Sequence, residues 1–232
     1  IIQVFVCAIV GYGFARFKFK GKGLMFGLVI MTIIVPSQTI LISLYGTYRN
    51  FSLFGILDVY NWVGGLIGGE SFSPVYLSLL NSNLVFYLPA LFGMGIRSGL
   101  YIFIYRQFFR GLPKELEEAA WIDGCGKFRT FWKVMLPNAT AVFVTVFLFS
   151  LVWYWNDYFN SSMFINNVPT ISTMLAGLKS SGLAEVAESS DPLQTSTYVQ
   201  AGALLSILPM LILYMIFQRQ FTESIERSGI VG

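Results

Sequence analysis

The chain has 232 residues, of which 55% are hydrophobic, 17% aromatic and only 12% charged, with a formal net charge of +3. Soluble domains carry about a quarter charged residues, so this balance excludes an ordinary soluble domain and points to an all-α, polytopic helical membrane protein. Histidine is absent, Cys7 lies in an apolar run and Cys125 in a polar one, so neither a disulfide nor a metal-ligand set is expected.

Residues 1–14 form an apolar run, short of the roughly 20 residues a helix needs to cross a bilayer. It starts at Ile1 rather than methionine and reads as the second half of a span. Arg16, Lys18, Lys20 and Lys22 follow, interleaved with Phe17 and Phe19. Basic residues among aromatics can bind nucleic acid. Four cations in a short turn between apolar runs are far more often a cytoplasmic loop, so no nucleic-acid partner is expected.

Residues 23–45 read as a full span with Pro36, Ser37, Gln38 and Thr39 at its centre. A proline break survives in lipid only where neighbouring helices, polar side chains or water satisfy the freed backbone groups. This face therefore points into the bundle or a cavity, or marks a simple kink, and Gln38 becomes a candidate for a solute pathway. Residues 46–83 are a long connection containing Gly64-Gly65-Leu66-Ile67-Gly68-Gly69, with short apolar runs suited to the membrane interface.

Residues 84–105 are the next expected span, holding Pro89, Gly93, Gly95, Arg97 and Gly99. Gly95 and Gly99, four apart, permit close helix approach. If Arg106 marks the membrane boundary, a continuous helix would place Arg97 roughly 13 Å deep, where it must face protein or water. It would then line a cavity, or bridge to a partner chain or to carbonyls freed near Pro89.

The polar stretch 106–137 has a defined shape. Pro113 suits a first helical position, and Glu115, Glu117 and Glu118 follow where carboxylates complement a helix dipole. Gly124 and Gly126 are expected to close that helix through a left-handed residue. Phe128, Phe131, Trp132 and Met135 make one apolar stripe on a second helix, which Pro137 should end. The result is a helix–glycine–helix elbow with Ala119 and Ala120 as a small-residue platform.

Residues 139–158 are a fourth apolar run ending in Trp153, Tyr154, Trp155 and Tyr158, like an aromatic belt. Asn156 and Asp157 either cap that run or meet solute at a cavity mouth. Residues 160–196 are polar, 197–217 form the last span with Pro209 inside it, and Arg219 and Arg227 lie in the tail. Twelve of the 15 cations fall in the basic turn, the elbow region and the tail. The positive-inside rule then makes the elbow and C-terminus cytoplasmic and loops 46–83 and 160–196 external. A cytoplasmic N-terminus would need one further span, six in all.

The order Glu118-Ala119-Ala120, three residues, Gly124, nine residues, Val134, one residue, Leu136-Pro137 resembles the EAA loop of ABC importer permeases. Val134 stands where that family usually has isoleucine. The resemblance extends to the maltose-transporter type of carbohydrate permease through Arg106-Gln107-Phe108-Phe109 ahead of the elbow and Trp155-Asn156-Asp157 after it. The ending Gly229-Ile230-Val231-Gly232 is similar to a Gly-x-Val-Lys-Gly tail but lacks the lysine, which puts the tail's contact with the ATPases in doubt.

The resemblance implies a type I ABC importer permease bundle in a prokaryotic cell membrane, importing a sugar or oligosaccharide. It implies an elbow that docks on the ATPase through Glu118, Ala119, Ala120, Asp123, Gly124, Val134, Leu136 and Pro137. The implied partners are two ATP-binding cassette subunits, a second homologous permease and an external solute-binding protein. Arg97, Gln38, Asn156 and Asp157 are the candidate solute-pathway residues. No phosphate-binding G-x-x-x-x-G-K-[ST] loop occurs, so ATP hydrolysis is expected on another chain, with no cofactor or metal on this one. Three other readings remain: a permease for a different small solute, a secondary transporter driven by an ion gradient, and a structural scaffold whose elbow is an amphipathic hairpin on the membrane. Intramembrane carboxylates, which the second would need, are missing.

Overall fold

The computed structural model describes residues 1–52, 55–68, 73–178 and 192–229, and their regular structure is helical, with one isolated bridge between Phe51 and Leu77. The first helix, α1 (Ile2–Arg16), buries Gln3, Val4, Cys7, Ala8, Tyr12 and Phe14. An apolar surface on nearly every side suits it to the interior of a bundle. α2 (Lys22–Ile34), equally apolar, buries none of its side chains within this chain.

The run 23–45, expected as one span, is a helix pair. After α2, Pro36 starts a short 3₁₀ turn (Ser37–Ile40), and α3 (Leu41–Arg49) leaves at 97° to it. The missing proline N–H and its fixed φ break the ladder there, and Thr39 Oγ1 donates 2.7 Å to the Pro36 carbonyl. The run 84–105 is likewise two helices, α5 (Leu84–Leu91) and α6 (Ser98–Gly111), with a turn between them. α4 (Ile56–Gly68) stands in the connection and is held at Asn61, which exchanges two 2.9 Å hydrogen bonds with the Val75 backbone.

The elbow is α7 (Glu115–Ile122) followed by α8 (Lys127–Asn138), and α9 (Thr140–Trp155) turns 80° away from α8. Pro137 marks the end of α8 to within one residue, but Leu136 keeps helical dihedrals and the chain turns only at Ala139. A π-helical segment, Phe131–Met135, comes just before Leu136, whose N donates to the Phe131 carbonyl. Two short helices, α10 (Phe159–Phe164) and α11 (Ile171–Gly177), lead to α12 (Pro192–Gly229). Within α12, Ser196–Gln218 is long and apolar enough to cross a membrane on its own. The pairs α2–α3 and α8–α9 qualify only as broken spans.

The main core joins α1 (Val4, Cys7, Ala8, Tyr12), α6 (Tyr101, Ile102, Tyr105, Phe109), α8 (Phe131, Met135) and α9 (Val142, Val146). A second cluster, Leu41, Tyr48, Leu79, Val85, Phe164 and Ile165, binds the two long connections together at one end. There Asn81 N donates 2.8 Å to the Phe164 carbonyl, and Asn166 N donates 2.8 Å to Asn81 Oδ1. Gly99, of the expected small-residue pair, does permit close approach, since a Cβ there would collide with Thr32 Oγ1 and lie 2.9 Å from the Val29 carbonyl on α2. Gly95 lies outside the helix, against Gln3 and Tyr154.

Candidate functional site

The elbow's first arm has Glu115, Glu117 and Glu118 in its opening turn, as the dipole favours, with Pro113 just ahead of it rather than inside. Its end is a Schellman closure: Cys125 N donates 2.9 Å to the Ala120 carbonyl and Gly124 N donates 3.0 Å to the Trp121 carbonyl. That geometry needs a left-handed residue, and Gly124 supplies it at φ 78°. Gly126, expected to share this task, instead starts α8 in an extended conformation, and its carbonyl accepts from Thr130 N at 2.9 Å.

The two arms present different faces. Ala120, Glu117, Thr130, Phe131 and Met135 are buried, while Glu118, Ala119, Asp123, Gly124 and Pro137 are exposed and Val134 and Leu136 are intermediate. The single apolar stripe expected on α8 is divided. Phe131 and Met135 enter the core, whereas Phe128 (71% exposed) and Trp132 (39%) pack against each other outside it. With Ile122 at 86% exposure and Trp121 at 46%, they give the elbow an apolar outer surface edged by Glu118 and Asp123. An apolar patch with a charged rim is the composition of a docking surface.

Glu117, read from sequence only as a dipole-stabilising carboxylate, anchors the elbow. Tyr12 Oη donates 2.6 Å to Glu117 Oε1, Arg16 Nε lies 3.2 Å from Oε2 as an ion pair, and Arg16 Nη2 donates 2.7 Å to the Leu112 carbonyl. The signal was present in the chain: Tyr12 and Arg16 are one turn apart on α1, and Arg16 is followed by Lys18, Lys20 and Lys22 with no carboxylate among them. A groove of about 440 Å³ runs beside this cluster, lined by Arg16, Phe17, Lys18, Glu117, Trp121 and Lys127.

The candidate pathway residues do not gather into one site. Arg97 is neither helical nor deep in a continuous span. It occupies the turn before α6 with φ 60°, is exposed, and sets its guanidinium 4.2 Å over the Trp153 ring. Gln38 is exposed in the turn at the α2–α3 bend. Asn156 caps α9, donating 2.9 Å to the Val152 carbonyl. Asp157 holds the start of α10, with Oδ1 accepting from Asn160 Nδ2 (2.8 Å) and Oδ2 from Ser161 N (2.9 Å).

Of the four, Asp157 alone lines the larger open cavity, about 590 Å³, with Gln3, Phe86, Tyr87, Tyr154 and Thr170 among its neighbours. Gln3 is a polar centre that sequence reasoning did not single out. It accepts from Tyr154 Oη at 2.6 Å and donates to the Ile96 carbonyl (2.6 Å) and Ser98 Oγ (2.9 Å). One buried amide thus pins α1, the turn before α6 and α9 together.

The chain belongs to the family of binding-protein-dependent transport system inner membrane components, which it matches over residues 6–227. It is therefore a membrane-embedded, non-catalytic permease component of the ABC importer class. Among its relatives, the probable ABC transporter permease protein YurM of Bacillus subtilis (strain 168) is 29% identical over 233 residues, covering 100% of this chain and 65% of that protein. The probable starch degradation products transport system permease protein AmyC of Thermoanaerobacterium thermosulfurigenes is 27% identical over 225 residues, covering 97% and 68%. The crystal structure of a bacterial ABC transporter involved in the import of the acidic polysaccharide alginate shares the fold, with a TM-score of 0.63 and 18% identity over 95% of this chain and 69% of that one. The chain spans about two thirds of the length of the relatives it matches.

Proposed function

We propose that this chain is one permease subunit of an ATP-driven importer of sugars or oligosaccharides, that it forms half of the translocation pathway with a second homologous permease, and that it is driven through its elbow. The elbow docks on one of two ATPase subunits, with Glu118, Ala119, Asp123 and Gly124 at the contact, Ala120, Val134, Leu136 and Pro137 shaping the arms, and Ile122 and Phe128 as apolar anchors. The observation that carries this reading is the two-faced elbow, with Phe131 and Met135 in the core and Ile122 and Phe128 left outside. Large apolar side chains on a rigid, exposed arm are what a partner cleft covers.

The cation distribution supports a cytoplasmic elbow and C-terminus, with five membrane segments in this chain, 1–14, 23–45, 84–105, 139–158 and 197–217, of which 23–45 is broken at Pro36 and 84–105 between Leu91 and Ser98. The connections 46–83 and 160–196, packed together through Asn81, then face outward toward a solute-binding protein. Residues 179–191 of the second connection lie outside the described residues, as do residues 230–232 of the tail. The similarity to a probable starch degradation products permease favours a carbohydrate solute. Purification of the complex from its native membrane tests the assignment. A separate ATPase should copurify and be lost on substituting Ile122→Asp. Retention of that ATPase with the elbow surface so altered would overturn the docking reading.

A further inference from the structure

We infer that Lys22, Arg106 and Arg110 bind the headgroup of an anionic phospholipid, at the end of the bundle where α2 begins and α6 ends. The two helices run antiparallel in contact, with the Phe26 and Phe103 rings stacked at 6.3 Å and the Arg106 guanidinium 3.8 Å above the Phe26 ring. Arg106 and Arg110 are one turn apart on α6, and Lys22 is one turn before Phe26 on α2, so the three cations share one corner. Lys22 is fixed there by donating 2.9 Å to the Phe17 carbonyl at the end of α1.

No carboxylate answers them. The ion pair found among the described residues is Arg16–Glu117, and Arg106 Nε is buried without an acceptor. The crowding is felt by the groups themselves: burial, then Arg106 and Arg110, lowers the Lys22 pKa below its ordinary value. Burial, then Arg110, does the same to Arg106. A phosphate seated against their outer N–H groups would remove that repulsion.

A lipid is favoured over a free anion because of what lies alongside. α2 leaves Leu24, Met25, Leu28 and Met31 more than half exposed, an apolar track for acyl chains leading from the cation corner. Basic pockets between helices at a membrane surface recognise phosphate headgroups in this way. The inference rests on the chain's membrane location, and not on the proposed solute or the ATPase contact.

The test uses the full-length chain assembled with its partner subunits, titrated with dioleoylphosphatidylglycerol or dioleoylphosphatidylcholine and followed by native mass spectrometry. The parent complex should retain phosphatidylglycerol in preference to phosphatidylcholine. Arg110→Gln, whose side chain is exposed and least able to disturb folding, should weaken that retention about fivefold, and Lys22→Gln with Arg110→Gln about 25-fold. Millimolar inorganic phosphate should leave the lipid bound. Equal phosphatidylglycerol retention by parent and variants, displacement by inorganic phosphate, or loss of a partner subunit from the double variant would each overturn the assignment, the last by making the corner a protein interface.

Discussion

Substituting Glu117→Gln tests whether the elbow is held by its buried carboxylate. The side chain is 6% exposed and its partner Arg16 is 9% exposed, so both charges are largely removed from water. α7 buries only Glu117 and Ala120, which leaves little apolar contact to hold the arm if this link fails. Glutamine keeps the volume and an acceptor for Tyr12 but leaves the guanidinium without a counter-charge. Removing one member of a buried pair costs about 3–5 kcal/mol. Even the lower figure multiplies the opening constant of α7 roughly a hundredfold, at tenfold per 1.4 kcal/mol. Amide hydrogen exchange across residues 118–123 of the assembled transporter should accelerate by that factor. Combining the substitution with Arg16→Met should recover part of the loss, because no charge is then left buried alone. Unchanged exchange in the single variant, or simple additivity in the double, would refute the anchoring role.

Gly124→Val should place a β-branched residue at φ 78°, costing at least about 1–2 kcal/mol in backbone strain although no neighbouring atom is within 4 Å. The bundle should remain folded while solute-stimulated ATP hydrolysis is lost; stimulation at the parent level would count against the docking role. Gly99→Val should force α2 away from α6 at a cost of about 1–3 kcal/mol, seen as a lower melting temperature of the purified complex. A parent-like melting temperature would mean that this contact is dispensable. Arg97→Gln removes a guanidinium stacked on Trp153, worth about 0.5–1 kcal/mol at an exposed site, so assembly should survive and solute transport should fall. Transport at the parent rate would take Arg97 out of the pathway.

The elbow was legible because its signals are local. Carboxylates in a first turn and a glycine where the chain must turn left-handed act within a few residues, and both appear where the spacing put them. Pro137 marks the end of α8 to within one residue, Asn138, but Leu136 before it stays helical, so the turn comes at Ala139 and not at the residue that proline disfavours. The larger misplacements have a common origin in non-local packing. Arg97 was set in the middle of a continuous helix. The break after Leu91 that frees it is fixed by Gln3, more than ninety residues away in sequence, through the Ile96 carbonyl and Ser98. Hydropathy likewise marks residues 23–45 as apolar, but says nothing of the 97° turn that a proline allows and the surrounding chain selects.

The division of α8 between outside and core has a mechanical consequence. Its outer residues stand in solvent while Phe131 and Met135 sit among Tyr12, Phe109 and Val142, so the arm has no soft joint separating it from the bundle. Packed interiors are nearly incompressible and pass strain on rather than absorb it. A push on Phe128 or Trp132 would therefore pass to α1, α6 and α9 together, with the break before α6 as the place where the backbone can yield. Stiffness at the elbow, more than the reach of its surface residues, sets how much of such a push arrives at the far end of the bundle.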